Sequence, residues 1–211
     1  MAINKIKIEE IKSFLQDHKD TSLLAVTKNR DIFEIKKLIQ YGFFLFGENR
    51  VQEAIKKFNL VKQDHKNLSL HLIGPLQSNK AVDALKVFDC IQSIDREKIA
   101  KIISQNINYD WCKTKNFFIQ INIGNERQKS GIKPVSAKEF YHYCIEMGLD
   151  INGLMCIPPI GENAGEYFKK MRDIRDNISD KLILSMGMSG DYQQAVENGS
   201  NLIRIGSALF E

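Results

Sequence analysis

Lys28 closes the run Leu23-Leu24-Ala25-Val26-Thr27-Lys28 and is the residue of this sequence best suited to covalent chemistry. Side chains alternate along a strand, so Lys28 shares a face with Leu24 and Val26, opposite Ala25 and Thr27. If that face lines an apolar interior, desolvation disfavours the ammonium and yields a free amine for Schiff-base formation. A strand-end lysine reaching into water is the simpler alternative. Arg204 alternates with Leu202 and Gly206, while Ile203 and Ile205 face the other way. Two neighbouring cations in an apolar interior need an anionic or hydrogen-bonding group between them. A ligand would serve, and so would a salt bridge from Arg204 to Glu48 or Asp95. Two glycine-punctuated segments, Gly187-Met188-Ser189-Gly190 and Gly206-Ser207, offer backbone N–H groups and hydroxyls to an anion. Ordinary turn chemistry produces such segments too.

Other side chains carry less. His71 shares a face with Ile73 and reads as a hydrogen-bonded core histidine. His18, His65 and His142 fall in helical or loop segments without metal-ligand spacing, so no metal is expected. Neither a Walker A pattern nor a G-x-S-x-G elbow occurs. Met155, Met186 and Met188 read as packing residues. The cysteines, Cys90, Cys112, Cys144 and Cys156, are scattered without a C-x-x-C pair, as expected for reduced, mostly buried thiols.

These residues must be positioned by a repeating pattern. Short β-rich runs at 23–28, 43–49, 70–74, 90–95, 117–122, 153–157, 182–186 and 202–206 alternate with helical patterns at 32–41, 51–58, 80–87, 96–105, 137–147, 165–177 and 192–197. Eight such strands without a linker predict one α/β domain over residues 1–211, a single (β/α)8 TIM-type barrel. An open doubly wound sheet would show a glycine fingerprint after its first strand, and none is present. Residues 6–18 read as an extra N-terminal helix over the barrel bottom or flank. The 211 residues are 43% apolar and 27% charged, with a net charge of +4, which excludes a disordered tail and a disulfide scaffold. That charge is too small to argue for nucleic acid. The pairs Lys36-Lys37, Lys56-Lys57 and Lys169-Lys170 read as solvated helix faces. No secretory signal or membrane-length apolar run is seen, so a cytoplasmic protein is expected.

Active sites of such barrels lie at the C-terminal strand ends, with phosphate commonly held after strands seven and eight. An inward lysine, an inward arginine and a phosphate cradle in one mouth suit a phosphorylated aldehyde, of which pyridoxal 5′-phosphate is the obvious one. Nine separated motifs then carry a specific resemblance. They are A-V-T-K at 25–28, F-G-E-N-R-V-Q-E at 46–53, H-L-I-G-P-L-Q-S-N-K at 71–80, S-I-D-R at 93–96, Q-I-N-I at 120–123, K-S-G-I at 129–132, G-L-M at 153–155, S-M-G-M-S at 185–189 and R-I-G-S at 204–207. With these the sequence resembles the pyridoxal phosphate homeostasis protein family, whose fold is like the barrel domain of alanine racemase.

The resemblance implies pyridoxal 5′-phosphate held as a covalent aldimine on Lys28. It also implies Asn49 near the cofactor ring, Arg204 facing the pyridine nitrogen, and Ser189, Gly206 and Ser207 on the phosphate. Arg50 stands where an aromatic residue is common, the sequence stops at Phe210-Glu211 without a short basic end, and the loop after strand six reads P-P-I-G-E-N. These departures touch surface contacts rather than the cofactor residues.

An arginine against the pyridine nitrogen makes the ring a poorer electron sink. A racemase would also need an acid/base on each face of its substrate, and related racemases take a tyrosine from a second domain of a partner subunit. No second domain is expected here, and of the tyrosines only Tyr192 lies close to a strand end. The expectation is therefore a non-catalytic monomeric carrier in vitamin B6 balance, meeting apo-enzymes of the cofactor transiently. The competing classes are an amino-acid racemase and a Schiff-base aldolase acting on a phosphorylated substrate. Lys129, in the loop after strand five, could form a transient imine during cofactor transfer; a solvated loop lysine is the simpler reading.

Overall fold

In the computed structural model, which describes residues 3–210, eight parallel strands close into a barrel in the order in which they occur along the chain. They are β1 (Ser22–Val26), β2 (Leu45–Glu48), β3 (Ser69–Leu72), β4 (Cys90–Ile94), β5 (Asn116–Ile121), β6 (Ile151–Cys156), β7 (Ile183–Ser185) and β8 (Leu202–Ile205). Seven helices connect them: α2 (Ile32–Gln40), α3 (Val51–Asp64), α4 (Ala81–Val87), α5 (Glu97–Ser104), α6 (Ala137–Glu146), α7 (Ala164–Ile178) and α8 (Tyr192–Glu197). The barrel closes where β1 pairs with β8, Leu24 opposite Arg204 and Ala25 opposite Ile205.

The extra helix, α1 (Lys5–Gln16), lies on the flank. It fills the outer layer between α8 and α2; among the described residues only a short 3-10 turn, Ser207–Leu209, follows β8. Ile8 and Ile11 are buried, Lys12 Nζ donates to the Tyr41 carbonyl at 2.8 Å, and the Phe14 and Tyr192 rings meet edge-on at 5.4 Å. Asn4 N donates to the Leu209 carbonyl at 3.0 Å, and Ile3 bridges Phe210.

Strand alternation sorts side chains into two regions. Ala25, Phe46, Leu70, Ile91, Ile119, Leu154, Leu184, Ile203 and Ile205 belong to the large core shared with the helices. Leu24, Val26, Cys90, Phe118 and Leu202 form a smaller cluster inside the barrel. Burying some fifty apolar side chains in the outer layer makes that layer the main source of stability. The interior is partly polar: Gln92, Ser185 and Arg204 are buried within it.

Three expectations are corrected. β1 ends at Val26, so Lys28 lies beyond it rather than at its last position. α3 continues to Asp64, and its core-facing stripe, Ala54, Phe58 and Val61, includes Lys57, which is 7% exposed. Lys57 is therefore not part of a solvated face. Met188 is 36% exposed in the loop after β7 and is not a packing residue, whereas Met155 and Met186 are fully buried.

Candidate functional site at the C-terminal mouth of the barrel

Lys28 projects from a tight turn in which Arg30 N donates to the Thr27 carbonyl at 3.0 Å. Asn29 adopts φ = 59°, a left-handed conformation that asparagine tolerates better than most residues. Asp31 then opens α2 with a reciprocal capping box to Glu34. The lysine side chain is exposed, and among the described residues no hydrogen bond or ion pair engages its Nζ. The alternation argument holds for Leu24 and Val26, which are inside the barrel, but the strand stops before Lys28. Lys28 therefore follows the C-terminal end of β1 as an exposed side chain rather than one desolvated inside the barrel.

The turn itself is braced from below. Thr27 Oγ1 donates to Glu48 Oε1 at 2.6 Å, and Lys57 Nζ lies 2.6 Å from the same oxygen. Lys57 Nζ also donates to the Thr27 carbonyl at 2.8 Å and to Glu53 Oε1 at 2.9 Å, and Glu53 Oε1 accepts from Asn29 N at 2.7 Å. Glu48 is fully buried; its burial pushes the carboxyl pKa up, while Lys57 and Thr27 pull it down. Glu53 is held below the ordinary carboxylate value: burial acts upward, but Lys57 and the Asn29 amide outweigh it. Composition and periodicity did not reveal this brace, because its members come from the turn after β1, from β2 and from α3. The one available signal was Lys57 in register with Ala54, Phe58 and Val61.

Arg204 points inward as expected and is 3% exposed. Neither carboxylate considered from the sequence pairs with it. Glu48 faces α3 and Lys57, and Asp95 binds Arg96. Arg204 instead donates to Ser185 Oγ and to the Cys156 carbonyl, each at 2.8 Å. Burial lowers its pKa from the usual arginine value. A guanidinium carries five donors, and among the described residues these two bonds go to neutral acceptors.

Gln92 and Ser185, which sequence reasoning missed, extend the interior polar group. Ser185 Oγ donates to Gln92 Oε1 at 2.6 Å, and Gln92 Nε2 lies 2.7 Å from His71 Nδ1. His71 is thus a hydrogen-bonded interior histidine, as read from its place beside Ile73. Burial lowers its pKa to about 4, which keeps it neutral at physiological pH. Small polar residues inside strands carry no pattern that separates a barrel interior from the helix layer.

The remaining candidates lie around the rim. Asn49, just beyond β2, is half-buried beside a cleft of about 830 Å³ that Gln77, Lys80, Arg96 and Ser130 also line. Gly74 lets the β3 loop approach it: a Cβ there would lie 2.3 Å from the Asn49 carbonyl oxygen. Ser189 and Ser207 come from the loops after β7 and β8 and meet at 3.3 Å between their Oγ atoms. Ala208 N lies 3.4 Å from Ser189 Oγ, so one backbone amide faces the same point. Gly206 passes close to β1, where a Cβ would lie 3.3 Å from Val26 Cβ. Ser189, Gly206 and Ser207 are therefore brought together on adjacent strand ends.

Lys129 lies at the same end of the barrel, in the loop after β5, but its amine is engaged. Lys129 Nζ pairs with Glu126 Oε2 at 2.5 Å and donates to the Pro158 carbonyl at 3.2 Å. Its loop is folded around Asn122, whose side chain donates to the Glu126 and Lys129 carbonyls and accepts from Glu126 N. Tyr192 is buried beneath α1 against Phe14, away from the mouth. All four cysteines are free and buried, and burial pushes Cys90 well up and Cys156 up to about 12.

The described residues form a barrel with an alanine racemase-like fold and a polar C-terminal mouth. An alanine racemase from Clostridium difficile superposes with a TM-score of 0.69 at 20% identity, covering 97% of this chain and 55% of that one, a likeness of fold. PipY from Synechococcus elongatus, solved without PLP, superposes with a TM-score of 0.87 at 31% identity over 97% of this chain and 98% of that one. Its PLP-bound structure gives 0.82 at 30% identity. Among curated proteins, the pyridoxal phosphate homeostasis proteins of Vibrio cholerae and Aquifex aeolicus are 38% and 35% identical over 201 and 197 residues. The matches cover 89% of this chain and 84% and 85% of those proteins. No protein-family model matches the chain. By this identity over nearly the full length of both partners, the chain belongs to the pyridoxal phosphate homeostasis protein family.

Proposed function

We propose that this protein binds pyridoxal 5′-phosphate at the C-terminal mouth of its barrel and holds it through a C=N bond from Lys28 Nζ to the aldehyde carbon, with loss of water. One observation carries the reading. Arg204 is a buried cation whose two hydrogen bonds go to neutral acceptors, on the strand that pairs with β1, and Lys28, just after β1, has no partner among the described residues. Such a pair suits a ligand with a carbonyl carbon and an acceptor nitrogen. Ser189 Oγ, Ser207 Oγ and the backbone around Gly206 would take the phosphate, and Asn49 would flank the ring. The cofactor supplies an electrophilic carbon and, in enzymes, an electron sink. Arg204 would donate toward the pyridine nitrogen and so disfavour its protonation, which would weaken that sink.

Lys28 is exposed, so the covalent bond is open to water and to incoming amines. That suits storage and release better than a closed catalytic site, which excludes water. The proposed role is a non-catalytic carrier in intracellular vitamin B6 homeostasis: a cytoplasmic monomer, the whole chain forming one domain, that releases cofactor to apo-enzymes. The names of the curated relatives support that role, and the PLP-bound PipY structure supports the ligand. The test is the visible absorbance of purified protein with added cofactor, followed by borohydride reduction and peptide mass mapping. A yellow protein whose adduct maps to Lys28, with no racemisation of amino acids, is expected. Lys28→Ala should lose the adduct while unfolding at the same temperature, since an exposed side chain without partners contributes little to stability. An adduct on another lysine overturns the assignment.

A further inference from the structure

Four inward side chains from four strands form a single file through the barrel. Arg204 Nη1 meets Ser185 Oγ at 2.8 Å, Ser185 Oγ meets Gln92 Oε1 at 2.6 Å, and Gln92 Nε2 meets His71 Nδ1 at 2.7 Å. Gln92, Ser185 and Arg204 are buried, so water does not compete for the bonds among these three, whereas His71 is half-buried.

Donor and acceptor inventories set the direction of the file. A guanidinium only donates, so Ser185 Oγ accepts from Arg204. The one hydroxyl hydrogen of Ser185 then goes to Gln92 Oε1. That turns the amide NH2 of Gln92 toward His71, and an NH2 group only donates. His71 Nδ1 must accept, so the ring is neutral and carries its proton on Nε2. With the amide turned round, Ser185 Oγ would accept from both neighbours and its own hydrogen would be buried without an acceptor, at a cost of about 1–3 kcal/mol. Every bond in the file therefore points from Arg204 toward His71. At the far end, His71 is part of the wall of a cavity of about 590 Å³ at the N-terminal end of the barrel, beside Leu45, Cys90, Phe118 and Leu202.

We infer that Ser185, Gln92 and His71 are positioning residues for Arg204, locking the guanidinium plane at the floor of the mouth in the orientation that presents a donor to the ligand's ring nitrogen. The Cys156 carbonyl supplies the second fixed point at 2.8 Å, and two anchors on different Nη atoms remove the rotation about the end of the side chain. This rests on the cofactor reading above.

Two measurements test it. In cofactor-free protein, the 15N chemical shifts of His71 should show one protonated and one bare ring nitrogen, the proton on Nε2. Gln92→Glu replaces the donor facing Nδ1 with an acceptor and should convert the ring to imidazolium at pH 7. A proton on Nδ1 in the unmutated protein refutes the file. With cofactor added, Ser185→Ala should weaken binding about tenfold, the loss of one hydrogen bond to a charged group, and should move the pH midpoint of the visible band. Ser185→Thr keeps the hydroxyl and should restore that midpoint, which a purely structural role for residue 185 would not explain. A Ser185→Ala protein with unchanged affinity and band midpoint refutes the positioning role while leaving the functional reading intact. If the unmutated protein takes up no pyridoxal phosphate, the functional reading fails and this inference fails with it.

Discussion

Lys57→Met tests the brace beneath Lys28. The substitution keeps most of the side-chain volume but removes the ammonium from Glu48 Oε1 at 2.6 Å, the Thr27 carbonyl at 2.8 Å and Glu53 Oε1 at 2.9 Å. Glu48 is fully buried and would keep only the Thr27 hydroxyl. Breaking a buried pair on one side costs about 3–5 kcal/mol when the remaining charge cannot escape. Here it can, because Glu48 can take up a proton. Protonation costs about 1.36 kcal/mol for each pH unit above the ordinary carboxylate value of 4.5, so the ceiling is about 3.4 kcal/mol at pH 7 and about 0.7 at pH 5. The sign follows from Glu48 itself. Its pKa is already raised by burial and rises further without Lys57, so the folded mutant binds a proton more tightly than the unfolded chain and gains stability as pH falls. We expect urea unfolding to show a loss of about 2–3 kcal/mol at pH 7 that shrinks below about 1 at pH 5. The double variant Lys57→Met/Glu48→Gln should recover most of the pH 7 loss. A loss below 1 kcal/mol at pH 7, or one independent of pH, would refute the argument that a buried carboxylate depends on Lys57. Because Lys57 also fixes the turn carrying Lys28, cofactor affinity should weaken in the single variant.

Three more outcomes follow from the same structure. The His71 pKa is about 4 in the fold against 6.5 ordinarily, so the unfolded chain takes up its proton first and stability falls as pH drops from about 6.5 to 4. The shift corresponds to about 2.5 kcal/mol lost between pH 7.5 and 4.5. His71→Gln should flatten that part of the stability profile, and an unchanged slope would show that the ring is not buried neutral. Gly74→Ala places a Cβ 2.3 Å from the Asn49 carbonyl oxygen and 2.7 Å from its Cα, so we expect about 1–3 kcal/mol of destabilisation and weaker cofactor binding by titration; wild-type behaviour in both would mean that the two loops separate easily. Cys90 and Cys156 are fully buried with raised pKa values. Ellman's reagent should leave both unreacted in native protein and titrate them in denaturant, and rapid native labelling of either would contradict their burial.

The barrel was legible because each strand–helix unit writes its own periodicity. Every strand read from the alternation is present within two residues at either end, and Leu24, Val26 and Arg204 point inward as parity requires. Proximity of Ser189 to Ser207 also followed, since neighbouring strand ends in a closed parallel sheet must place their loops side by side. The exposure of Lys28 was not legible. Parity assigns a face but not the point at which pairing stops, and here the strand gives way to a turn after Val26, with Asn29 left-handed.

Pairings between distant segments were also hidden. Lys57 looks like any lysine of a helix until β2 brings Glu48 beneath it, and Arg204 had two plausible carboxylates but took Ser185 and a carbonyl instead. Hydrophobic period, parity and glycine placement are local properties, so the chain alone specified eight repeating units, their inward residues and the rim on which chemistry could occur. Which charge meets which depends on distances across the closed ring of strands, and a buried polar group binds whatever complementary atom lies within about 3 Å. Only the folded barrel supplies those distances, and so only the folded barrel decided that Lys57 braces the turn and that Ser185 and the Cys156 carbonyl hold the arginine.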